Sequence, residues 1–138
     1  MIGDILLWGL VVGLAHFVVL GALYQNPFVA RLYAEAAGKE PGLRVWASQP
    51  RYMLAMFLGT QVEVYALTAA YLGLRPYVPL TGWPEALALG GVFAVLRVYP
   101  RFWNMWIQST YPGRLLAVEA VNGCLGTVFI VLGVQLLA

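Results

Sequence analysis

Four long apolar runs, each broken by only a few polar positions, dominate the chain: Ile5–Tyr24, Tyr52–Leu74, Pro84–Gln108 and Leu115–Leu137. A helix needs about 20 mostly apolar residues to cross the hydrocarbon of a bilayer, and each run is long enough. Trp8, Tyr24, Tyr52, Tyr71, Trp83, Trp103, Trp106 and Tyr111 gather toward the run ends, as aromatic residues do at membrane–water interfaces. Tyr111-Pro112-Gly113 is a tight turn, which predicts that the third and fourth runs are antiparallel neighbours. The Arg75–Gly82 link is short and rich in turn residues; Pro84 and Glu85 follow it at a first helical turn, which tolerates a missing N–H and favours negative charge. The pattern predicts an all-α integral membrane protein. Its expected form is an antiparallel four-helix bundle, with residues 1–138 as a single transmembrane domain.

The loop between the first two runs carries a different period. In Pro27–Ala37, Phe28, Leu32 and Ala36 recur at helical spacing, Arg31 and Glu35 stand at i, i+4, and Gly38 follows as a stop signal. This predicts a short interfacial helix, either a plain connector or a lid over a site.

Composition narrows the class. Of 138 residues, 62% are hydrophobic and 10% charged, against about 45–50% and 25% in soluble domains. Mean hydropathy is +0.78. The single cysteine, Cys124, excludes an intramolecular disulfide or a cysteine metal cluster. A net charge of +2 without a basic run gives no reason to expect a nucleic-acid partner. The opening Met1-Ile2-Gly3-Asp4 lacks a basic segment, so the first run is expected to be a retained helix. Arg31, Lys39, Arg44, Arg51 and Arg114 fall on one side of the expected bundle and Arg75 alone on the other. By the positive-inside rule the long loop is then cytoplasmic and both termini lie outside.

The chemistry is carried by polar residues within the runs, where ionisable side chains are costly and usually face the bundle interior. They are His16, Gln61, Glu63, Arg97, Arg101, Asn104, Glu119 and Asn122. Arg97, Arg101, Asn104 and Gln108 form one helical stripe at i, i+4, i+7 and i+11. Counted from the cytoplasmic ends, Glu63 and Arg97 both lie about 18 Å deep, and His16, Arg101 and Asn122 about 12 Å deep. Asn104 and Glu119 lie at about 7 Å. These depths predict a Glu63–Arg97 pair at the midplane and a Glu119–Arg101 pair one layer nearer the cytoplasm. Pro100, between the two arginines, is expected to kink the helix. Gly9 and Gly13 form a GxxxG pair, and Gly126 and Gly133 share a face; either is a candidate contact for a homodimer.

Two readings of the polar set remain open. The pairs either neutralise one another and fix helix register, or line a water-filled cavity that binds a polar solute. No protease, hydrolase, nucleotide-binding or thiol-redox motif is present, no metal set stands on paired helices, and no cofactor is implied. Three functions follow: a small transporter or channel subunit for a polar or anionic solute, an enzyme acting on a lipid or isoprenoid with Glu63 or His16 as acid–base, and a non-catalytic subunit of a larger complex.

Gly21-Ala22-Leu23-Tyr24-Gln25-Asn26-Pro27-Phe28-Val29-Ala30-Arg31-Leu32-Tyr33, together with Arg114-Leu115-Leu116 opening the last run, resembles a family of small four-span bacterial integral membrane proteins of unknown function. The resemblance implies four spans in a bacterial inner membrane. It implies no activity, and the Arg97/Arg101 pair lies outside it.

Overall fold

A computed structural model describes residues 1–138, and all of its regular structure is helical. The elements are α1 (Ile2–Gln25), α2 (Pro27–Ala36), α3 (Gln49–Leu74), a 3₁₀ turn (Arg75–Tyr77), α4 (Trp83–Gln108) and α5 (Gly113–Leu137). Three segments, Ile2–Gln25, Gln49–Tyr77 and Gly113–Leu137, are long and apolar enough to cross a membrane. The third run expected to span, now α4, is not among them: Arg97 and Arg101 lie in its second half and Glu85 in its first turn.

Local chemistry sets the boundaries. Asn26 closes one helix and opens the next. Its backbone N–H donates to the Ala22 carbonyl at 3.1 Å, its amide donates to the Leu23 carbonyl, and its Oδ1 accepts from the Val29 N–H at 3.1 Å. Pro27 then occupies the first helical turn, where no N–H is needed. Gly82 at φ 70° turns the chain into α4 through a conformation that a side chain would oppose. Pro100 sits inside α4, which nevertheless runs from Trp83 to Gln108 as one helix.

Helix α5 is the hub: it packs most extensively on α4, then on α1 and α3, and touches α2. Small residues allow the close approaches. Gly90 of α4 faces the Val128 backbone, and Gly123 faces Val98. A Cβ on Gly126 would lie 2.8 Å from His16 Nε2, and one on Gly133 would lie 3.2 Å from Val12. On α1, Gly9 lies against the Tyr65 ring and Gly13 against the Gln61 amide. The glycines expected to serve a dimer are therefore engaged within the chain.

Only 22 of 138 residues are buried, while leucines and valines stay exposed on every long helix and aromatics on α4. Such an apolar outer surface would be unstable in water and suits a lipid surround. The apolar core is confined to one part of the molecule, where Val64 and Tyr71 of α3, Leu89 and Phe93 of α4, and Ile130, Val131 and Val134 of α5 meet. Tyr71 donates to Gln135 Oε1 there, and Arg75 and Glu85 pair at 3.3 Å across the α3–α4 connection.

Candidate functional site: a polar seam along helix α5

The seam is built on α5 in two layers. In the first, Glu119 collects three donors from three different elements. Tyr33 of α2 donates to Oε1 at 3.2 Å, Tyr111 of the α4–α5 turn donates to the same oxygen, and Arg101 of α4 donates to Oε2 at 3.1 Å. The expected Glu119–Arg101 pair is present, though the arginine side chain is 70% exposed, so the pair alone contributes little. Burial, followed by the hydrogen bond to Glu119 and its charge, pushes the Tyr111 phenol up to about 12. Burial and the same carboxylate push Tyr33 well above its ordinary range.

The second layer lies one to two turns further along α5. Arg97 donates through Nε and Nη2 to the two carboxylate oxygens of Glu63. Its Nη1 donates to the Gly123 carbonyl at 3.0 Å and to Thr127 Oγ1 at 2.6 Å. One guanidinium thus ties α3, α4 and α5 together, using the fork that distinguishes arginine from lysine. The expected midplane pair is present. It is not sealed: the Arg97 and Glu63 side chains are 28% and 29% exposed, and α3 and α4 barely touch each other. The pair is therefore partly open to the surroundings on the side between those helices.

Three further polar side chains within the helices hold buried atoms without partners. His16 is fully buried, stacks on Phe129 with ring centroids 6.3 Å apart, and has no hydrogen bond at either ring nitrogen. Gln61 donates to the Gly9 carbonyl at 2.9 Å, but its Oε1 is unpartnered. Asn122 is buried and its Nδ2 is unpartnered. Consecutive residues of α5 connect His16 to the ion pair, since Gly126 abuts His16 and Thr127 accepts from Arg97. Unpartnered buried polar groups are costly and uncommon, and each is a place where water or a polar ligand is stabilised.

Of the eight residues expected in the site, Glu63, Arg97, Arg101 and Glu119 pair in the seam, Asn122 stands on α5 and His16 against it, while Gln61 is bonded to α1. Asn104 lies outside it, exposed on α4, as is Gln108 of the same stripe. Tyr33, Tyr111, Thr127 and the Gly123 carbonyl belong to the seam and were not anticipated. Tyr33 had the signal of a helical position beside Leu32, but its partner lies 86 residues away.

Comparison with family models, with curated proteins and with solved structures finds no match for this chain.

Proposed function

We propose that the chain is a small multi-pass transport or channel subunit of the bacterial inner membrane, handling a small polar or anionic solute along the seam of α5. All four long helices cross the bilayer in antiparallel order, with the long loop cytoplasmic. Helix α4 is included because its two arginines are matched by Glu63 and Glu119, which lowers the cost of immersing them. One observation carries the reading. A partly exposed ion pair at mid-helix lies one residue along α5 from the contact with His16, and His16, Gln61 and Asn122 each hold buried polar atoms with no partner inside the protein. Four of the five N–H donors of Arg97 are already engaged, so most direct contacts to solute fall to those three residues. In proteoliposomes, flux of formate (read by an entrapped pH-sensitive dye), of chloride (by a chloride-sensitive dye) or of glycerol (by light-scattering swelling) is expected to fall to the empty-vesicle level in His16→Phe and Asn122→Leu. Unchanged flux in both variants overturns the reading.

The partial exposure of Glu63 between α3 and α4 also favours a second reading, an enzyme that admits a lipid or isoprenoid laterally and uses Glu63 or His16 as acid–base. Conversion of added lipid by the purified chain, abolished in Glu63→Gln, would distinguish it.

A further inference from the structure

Two adjoining hollows lie where α2 rests on α5, lined by none of the seam's polar side chains. The larger, about 460 Å³, is walled by Phe28, Leu32, Ala117 and Val118, with Arg114 the one charged residue in its lining. The smaller, about 170 Å³, shares Leu32 and Arg114 with the first and is bordered by Glu35 and Glu40. The charges at this junction are unevenly satisfied. Glu35 is bound to Arg31 at 3.0 Å, whereas neither Arg114 nor Glu40 belongs to any of the chain's ion pairs.

The geometry points to a binding site for an aminophospholipid, one whose headgroup carries a phosphate and a primary ammonium, as phosphatidylethanolamine does. Arg114 stands in the first turn of α5, and Val118 lies four residues further along, about 6 Å away along the axis. An acyl chain laid in the larger hollow would run along Leu32, Ala117 and Val118 and bring its phosphate to Arg114. Arginine matches a phosphate with paired N–H donors. The smaller hollow would take the rest of the headgroup and set its ammonium toward Glu40. An acidic lipid would meet Glu40 as a like charge, and a choline lipid would offer it no N–H donor. The free cation and free carboxylate thus select the aminophospholipid over both. This inference rests on placing α5 in a bilayer and is independent of whether a solute crosses the seam.

The test is lipid retention and melting of the detergent-purified full chain with phosphatidylethanolamine, phosphatidylglycerol or phosphatidylcholine of identical acyl chains, read by native mass spectrometry and thermal denaturation. Phosphatidylethanolamine is expected to be retained best. One arginine near a membrane surface is worth about fivefold in affinity for a lipid phosphate, so Arg114→Gln should weaken retention of all three lipids by about that factor. Arg114→Lys should keep most of it, and Glu40→Gln should bring phosphatidylethanolamine down to the level of phosphatidylglycerol. Equal retention of the three lipids by the unaltered chain overturns the proposal, as does full retention in Arg114→Gln. Equal protection by glycerophosphoethanolamine, which has no acyl chains, would show a soluble-headgroup site and overturn it too. Ala117→Trp, which fills the larger hollow, should lower retention while the oligomeric state stays the same. A change of oligomeric state instead would assign the groove to a second copy of the chain.

Discussion

Arg97 and Glu63 are tied together, but their environments are unequal. Arg97 has two further acceptors on α5, the Gly123 carbonyl and Thr127, whereas Glu63 has Arg97 alone. Removing one partner of a low-dielectric ion pair costs about 3–5 kcal/mol, and partial exposure here puts the expected loss near the lower bound. Arg97→Leu should therefore destabilise more than Glu63→Leu, because it leaves a carboxylate with no donor. The double variant should recover much of the loss, giving a double-mutant cycle in detergent melting that is far from additive. Additive losses would mean that the two side chains do not meet. Gly126 gives a second check at this scale. A Cβ there would meet His16 Nε2 at 2.8 Å, and the imidazole is enclosed, so Gly126→Ala should cost about 1–3 kcal/mol. Adding His16→Ala should restore part of that loss, while Gly21→Ala, which meets nothing within 4 Å, should be neutral or slightly stabilising.

At the scale of elements, α2 is attached by few contacts, and Glu119 is the main polar one. Two phenols donate to it, and both must be protonated to do so. Tyr111 titrates at about 12 in the folded chain against 10.0 ordinarily. The folded state therefore binds the proton more tightly than the unfolded state. This stabilisation is fully present below pH 10 and is lost as pH rises through about 12, because there the folded state must give up a proton that the unfolded chain has already lost. A spin label at Ala34→Cys in a Cys124→Ala background should stay immobile up to about pH 10 and gain mobility above it. Tyr33→Phe should raise that mobility at every pH, and Tyr111→Phe should flatten its rise. The helices themselves were legible in the sequence because apolar run length and helical period are local properties. The short helix α2 was legible for the same reason, with Pro27 and Gly38 marking its limits. Both ion pairs could be anticipated because depth along a helix follows from the rise per residue. What depth cannot give is rotation about the axis. Asn104 shares a stripe with Arg97 but projects outward, and Tyr33 and Tyr111 reach Glu119 only once α2 and the α4–α5 turn have docked. The glycines misled in the same way: their spacing marks a close contact without naming the partner, which proved to lie in the same chain.

Over the whole molecule, apolar packing and polar linkage are separated along α5, with Ile130, Val131 and Val134 in the core and Glu119, Asn122 and Thr127 on the seam. The basic residues of the loops and helix ends are just as unevenly divided. Arg31, Lys39, Arg44, Arg51 and Arg114 belong to the side of the α1–α3 loop and the α4–α5 turn, and Arg75 alone to the other. Arg75 is also the one held by a nearly buried carboxylate, since Glu85 pairs with it at 3.3 Å and its side chain is 4% exposed. Orientation follows the excess of arginine and lysine on the retained side, so the proposed topology keeps the α1–α3 loop in the cytoplasm. A periplasmically active phosphatase fused after Ala138 should be active, and a fluorescent protein that matures only in the cytoplasm should be dark at the same position. Inserted between Lys39 and Glu40, the two reporters should behave in the opposite way. Replacing Arg31, Lys39, Arg44 and Arg51 by Gln while placing lysines at Val78, Leu80 and Thr81 moves the excess to the other side. The same C-terminal fusions should then exchange their signals. If the original pattern survives that exchange, loop charge does not set the orientation of this chain, and the cytoplasmic placement of the α1–α3 loop loses its physical basis.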